Sequence, residues 1–224
     1  MLDFITVILA LIIFFNVVLA ASSRLLHCIK TIAAQGVLVG LLPLCQALAE
    51  GAGFEVHATV MSAVNIIAKG VLLPMLLAAA MRKAAVEREL EPFVGYSASV
   101  LLVFALIAAS FGAAARMEMD APMLSKLAVP AALATMFSGL FLIVSRRKAI
   151  TQVIGFLAFE NGISVFGASM MLQYGLLVEL GILLDVFVLV FIAGIVIFHI
   201  SREFSHIDAD KLGAEAEPSE PHNT

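Results

Sequence analysis

Charge is scarce in this sequence. Asp, Glu, Lys and Arg make up 13% of its 224 residues, whereas 62% are hydrophobic. A soluble domain averages about 25% charged residues, and uncharged runs fill almost all of this chain. These features exclude an ordinary soluble domain and indicate a polytopic protein of the lipid bilayer. The formal net charge of −4 belongs largely to the acidic tail. The 13 Lys and Arg residues form no basic patch, so no nucleic-acid partner is expected.

Cysteine and clustered histidine are lacking too. Cys28 and Cys45 share one apolar segment, with no CxxC and no histidine cluster beside them. They read as small buried hydrophobes, and neither a metal nor a cofactor is expected. The chain has no Gly-rich phosphate loop, no Ser-His-Asp order and no H-E-x-x-H. His27, His57, His199 and His206 lie at helix ends or outside helices, which argues against paired mid-membrane haem ligands. His57 is either an outer-mouth proton acceptor or an interfacial residue without a role. No catalytic residue of an enzyme is expected.

What the chain does have is apolar runs of spanning length. They predict an all-α fold of seven transmembrane helices, at about 3–22, 28–48, 56–80, 94–114, 123–145, 149–172 and 176–200. One transmembrane domain then covers 1–201, and 202–224 is a tail rich in Pro, Glu and small residues. The first run ends in small residues, as a signal peptide does. It lacks a basic n-region and is long enough to span, so it reads as a retained first helix.

Ten basic residues fall in the tail or in the loops after helices one, three and five: Arg24, Lys30, Arg82, Lys83, Arg88, Arg146, Arg147, Lys148, Arg202 and Lys211. The opposite loops hold Arg116 and Lys126. This asymmetry predicts the N-terminus outside and the C-terminus in the cytoplasm. Helices four and five read as packing or lipid-facing elements, with Lys126 free to snorkel outward. Helix two carries Gln35 and a Gly36–Gly40 pair, a spacing that either lets backbones approach closely or permits a bend.

The few ionisable groups inside these runs stand out. A charge at the bilayer centre costs about 2.5–3.5 kcal/mol on insertion scales, so such residues are functional candidates by default. Lys69 lies near mid-depth of helix three, with Asn65 and Ser62 at i−4 and i−7 on one face. Pro74 cannot donate to the Gly70 carbonyl, which loosens the helix just beyond the lysine. Lys69 either handles protons or pairs statically with a carboxylate. Glu160, flanked by Asn161, sits between Gly155 and Gly162 in helix six, as a proton carrier or as a structural, hydrogen-bonded glutamate. Glu179 and Asp185 follow in helix seven. Six residues separate these two, about 9 Å of rise and roughly 120° of rotation, so they face different neighbours. Asp185 is the deeper relay candidate, and Glu179 is either an uptake group or an interfacial anchor. Lys69, Glu160 and Asp185, linked through Gln35 or Asn65, form the pattern of a proton or cation path.

At AAQGVLVG, NIIAKGVLLPMLL, VSRRKAITQVIGFLAFENG, LVELGILLDVFVLVFIAG and SHIDADKLGA the chain resembles the hydrogenase-4 component E (HyfE) family. These are membrane subunits of formate hydrogenlyase-type, group 4 hydrogenase complexes. The resemblance spans most of the chain, and it makes 145–193 similar to the NuoK subunit of respiratory complex I and the MrpC subunit of Mrp antiporters. It implies a multi-pass subunit of a bacterial cytoplasmic (inner) membrane, seated between antiporter-like and NuoH-like membrane subunits. Such a subunit holds no redox cofactor and contributes to proton or cation translocation driven by electron transfer in its partners. One position departs from the pattern. Where NuoK-type subunits carry a glutamate two residues after a glycine, this chain has Leu157, and the carboxylate comes one turn later as Glu160. A structural scaffold in the same kind of complex and a stand-alone transporter are the alternatives.

Overall fold

The computed structural model describes residues 2–49, 56–83, 92–117 and 125–169, with the isolated positions 190 and 194. Apart from those two positions, the expected seventh helix at 176–200 lies outside the described residues, as do Glu179, Asp185 and the tail. Among the described residues all regular structure is helical. The helices are α1 (Leu2–Ala21), α2 (Leu25–Ala49), α3 (56–83), α4 (Tyr96–Ala114), α5 (Ala128–Ser145) and α6 (Ala149–Ser169). Each is long and apolar enough to cross a membrane. They match the first six expected runs to within a few residues at the described ends.

Local chemistry sets several of the ends. The α5 turn begins later than expected because Ser125 organises it: the Leu127 amide donates to Ser125 Oγ and the Ala128 amide to the Ser125 carbonyl. Pro130 then falls in the first turn, where a missing N–H is tolerated. Pro43 interrupts the ladder of α2, and the neighbouring Leu44 amide donates to Ser62 Oγ of α3 at 3.0 Å. A neighbouring hydroxyl is a standard remedy for backbone disturbed by proline at membrane depth.

The helices alternate in direction. At one end Arg146 donates to the carbonyl of Ala20 and the Phe93 amide donates to the carbonyl of Ser145. At the other end the hydroxyls of Thr6 and Ser125 meet at 3.4 Å. The basic residues Arg24, Lys30, Arg82, Arg146, Arg147 and Lys148 therefore share one end, called the basic end below.

Two apolar clusters hold the bundle. One, toward the basic end, contains Leu19, Leu25, Ile29, Ile32, Leu77, Leu142 and Ile154. The other contains Ile5, Leu9, Ile12, Val39, Leu42, Ala131 and Val165. Their residue numbers leave a gap on each of α1, α2, α5 and α6: between 12 and 19, 32 and 39, 132 and 142, and 158 and 165. The polar residues Asn16, Gln35, Thr135, Glu160 and Asn161, all buried, occupy those gaps. A polar belt thus lies between two oily layers.

Glycines bring the helix backbones together at belt level. A Cβ on Gly36 would stand 2.8 Å from the Lys69 carbonyl oxygen, and one on Gly40 would stand 3.0 Å from the Ile66 nitrogen. Of the two readings of this pair, close approach is the observed one, and it joins α2 to α3 within the chain. A Cβ on Gly155 would stand 2.8 Å from the Ile143 nitrogen, and one on Gly162 would stand 2.6 Å from the Met136 nitrogen, so α5 and α6 pack closely, backbone against backbone. Helix α4 is different: Leu101, Phe104 and Phe111 are exposed, and it suits a lipid-facing position. Helix α5 is mainly a packing element, since eleven of its residues from Ala128 to Ser145 are buried, with Leu140 and Val144 exposed on its outer side.

Candidate functional site

Lys69 does not sit in a regular α-helix. Residues Ile66–Leu72 form a π-helical stretch, and the Leu73 amide donates to the Ala68 carbonyl, five residues back. Pro74 follows at once; its ring crowds the carbonyl four residues before it, and the wider turn relieves that crowding. The π stretch also changes which residues share a face. Asn65 is half-buried and turns back to donate to Met61 of its own helix, while Ser62 serves the α2 backbone. Neither joins Lys69, contrary to the expectation drawn from regular i−4 and i−7 spacing.

Lys69 instead reaches Glu160. Its Nζ lies 2.6 Å from Glu160 Oε1, and the two side chains are 4% and 1% exposed. Nζ also donates to Ser164 Oγ at 2.8 Å, and that hydroxyl donates to the Glu160 carbonyl at 3.1 Å. Lys69 stands at the middle of the span Ala58–Arg82, and Glu160 near the middle of Ala149–Ala168. The pair therefore occupies the deepest part of the bundle.

A chain of neutral groups starts one residue away. Asn161 Nδ2 donates to Gln35 Oε1 at 3.2 Å. Gln35 Nε2 donates to Asn16 Oδ1 at 2.9 Å and to the Ile12 carbonyl at 3.2 Å. Asn16 Nδ2 donates to Thr135 Oγ1, which donates in turn to the Ala131 carbonyl. Each link needs the next, because a buried amide without a partner costs about 1–3 kcal/mol. The amides orient the belt and tie α1, α2, α5 and α6 at one depth. Lysine, glutamate and hydroxyl groups are the members able to take up or release a proton.

The basic end has its own buried charge. Arg146 is 1% exposed; its Nη2 donates to the Ala20 carbonyl at 2.9 Å and its guanidinium lies 4.7 Å from the Tyr96 ring centroid. Arg147 stacks on Phe93 in the same way at 4.6 Å. An arginine read as a loop charge is thus a staple between α1, α4 and α5.

Of the six residues expected to form the path, the structure joins Lys69, Glu160 and Gln35 in one belt, leaves Asn65 outside it, and does not describe Glu179 or Asp185. Leu157, at the position where a glutamate was the pattern, is buried in the apolar cluster. Asn16, Thr135 and Ser164 were not anticipated. Asn16 had a signal: it is the one strongly polar residue in the apolar run after Thr6. Among the described residues no three His, Cys, Asp or Glu side chains cluster as a metal site would.

Over 186 residues the chain is 31% identical to the protein named Uncharacterized protein Rv0085 of Mycobacterium tuberculosis, an alignment covering 82% of this chain and 83% of that protein. No family model matches the chain, and no solved structure does.

Proposed function

The chain belongs to the family of Rv0085 of Mycobacterium tuberculosis, and we propose that it is a membrane subunit contributing to proton (or cation) translocation in a hydrogenase-4-type, complex I-related assembly. In this reading it spans a bacterial cytoplasmic membrane seven times, with its basic end in the cytoplasm. Electron transfer takes place in partner subunits, and antiporter-like and NuoH-like membrane subunits flank the chain. The observation that carries the reading is the Lys69–Glu160 pair, 2.6 Å apart and enclosed at mid-span.

Two ionised groups at that depth are costly, and their mutual attraction only about offsets the desolvation. Packing alone does not call for them, since apolar residues of similar volume hold helices as well or better. A proton moves between Nζ and Oε1 without any heavy atom moving far, and Ser164 keeps the ammonium aimed at the carboxylate. Asp185 continues the path in the seventh helix, with Glu179 nearer the outer side.

Affinity purification of the chain from native membranes, with identification of the proteins that accompany it, tests the assembly. Hydrogenase-like and antiporter-like subunits are expected; a chain that purifies alone and stays active in transport contradicts it. A second reading, a non-conducting scaffold, is favoured by one observation: Gln35 of α2 donates twice to α1 and accepts from Asn161 of α6, as a fixed structural tie does. Variants that lose assembly before they lose activity support that reading.

A further inference from the structure

Three hydroxyl side chains of α5 lie off the face that packs on α6. The α6-facing line contains Ala132, Met136 and Ile143, against Gly155 and Gly162. At about 100° per residue Thr135 lies about 80° round from that line, and Ser138 and Ser145, which share one face, lie about 140–160° round from it. Thr135 meets Asn16 of α1 on this side. Arg146, next after Ser145, meets Ala20 of α1. The hydroxyls thus lie on the side of α5 away from α6, where α1 and α4 both pack on it, from the polar belt to the basic end. Ser138 stands about 4.5 Å above Thr135 along the axis, and Ser145 about 10.5 Å beyond Ser138.

Ser138 is 0% exposed and Ser145 2% exposed, yet neither hydroxyl has a hydrogen-bond partner among the described residues. Buried polar groups are normally satisfied, and where protein supplies no partner ordered water does. Two such hydroxyls on one face, with Thr135 at the inner end and a buried arginine at the outer end, are more than an isolated orphan. The small Ala20 side chain stands beside the outer end.

We infer that Thr135, Ser138 and Ser145 hold a column of water where α1, α4 and α5 meet, which leads from the basic end to the polar belt and is closed at its mouth by Arg146. The column is a water-binding site distinct from the ion pair. It rests on the conduction reading for its purpose, as the inlet on the cytoplasmic side, but not for its existence.

The test is hydroxyl-radical footprinting by X-ray radiolysis of the full chain in lipid nanodiscs, where radicals made from bound water label the side chains beside it. Leu142, 2% exposed and between the two serines, should be labelled at least fivefold faster than Leu9, which is 0% exposed in the other apolar cluster. In a Ser138→Ala/Ser145→Ala variant the Leu142 rate should fall to that of Leu9. Equal rates in the wild-type protein overturn the inference, with the hydroxyls then bonded to their own helix. If the double variant does not fold, Ser138→Cys in a Cys28→Ser/Cys45→Ser background replaces it. Silver ion should modify that thiol at least tenfold faster than a Leu140→Cys thiol on the exposed face of α5; equal rates overturn the inference. A labelled Leu142 in a protein whose Glu160→Gln variant conducts normally keeps the column and removes the conduction reading. An unlabelled Leu142 with loss of conduction in Glu160→Gln does the reverse.

Discussion

Gly36 and Lys69 touch backbone to backbone: a Cβ on the glycine would lie 2.8 Å from the lysine carbonyl oxygen and 2.9 Å from its Cβ. Backbone cannot yield as the tip of a side chain does. Gly36→Ala should therefore push α2 away from the π stretch and destabilise the protein by about 1–3 kcal/mol, the usual range for overpacking. Gly112→Ala is the internal control. Nothing lies within 4 Å of its added methyl, and it should be neutral or stabilising by up to about 1 kcal/mol through helix propensity. Thermal unfolding of both variants in the same detergent, followed by circular dichroism, checks the contrast.

Gln35→Leu should be the most damaging change among the neutral polar residues. It removes donors to Ile12 and Asn16 and the acceptor for Asn161, leaving buried amides unsatisfied at about 1–3 kcal/mol each. Asn65→Leu should cost no more than about 0.5 kcal/mol, because that side chain is half-buried and bonds only to its own helix. Chemical denaturation in mixed micelles ranks the two, and a larger loss for Asn65→Leu would refute the assignment of Gln35 to the belt.

Lys69→Met and Glu160→Gln should be worse singly than together. Each single change strands a buried partner, at about 3–5 kcal/mol when that partner stays charged, whereas the pair of changes removes both charges. A double-mutant cycle on unfolding free energies should give a coupling of at least about 2 kcal/mol; additive losses would mean that the two groups do not interact in the folded protein.

Arg146→Leu should loosen the basic end, since it removes the bond to the Ala20 carbonyl and the stacking on Tyr96. Hydrogen exchange should rise at the α1 C-terminus and the α4 N-terminus, with the belt amides unchanged. Faster exchange spread evenly through the six described helices would contradict a local staple.

Much of this architecture is legible from residue order alone. The six described spans follow from uncharged runs, because exposing polar backbone or charge to lipid costs more than any local preference can recover. Depth is equally legible: Lys69, Glu160 and Gln35 are mid-span by counting. Azimuth is not. The π stretch turns Lys69 away from the face it would share with Asn65, and the only forewarning is Pro74. That Lys69 chooses Glu160 depends on how close Gly36, Gly40 and Gly70 let α2 and α3 come, which is tertiary information. Asn16 and Thr135 are single neutral polar residues in oily runs, and such residues are common enough in packed helices to pass without notice. Arg146 carries the opposite lesson. A positive charge at a helix end reads as solvated, yet its buried place depends on Ala20 and Tyr96, far away in sequence.

The central claim is that the Lys69–Glu160 pair conducts, and proton uptake by native membrane vesicles during electron transfer tests it most directly. The variant to use is Lys69→Met/Glu160→Gln, with its amount in the assembly and the electron-transfer rate measured alongside. The account predicts at least a tenfold loss of proton uptake at wild-type levels of assembled protein. Wild-type uptake in that variant would contradict it and leave the pair as a structural tie.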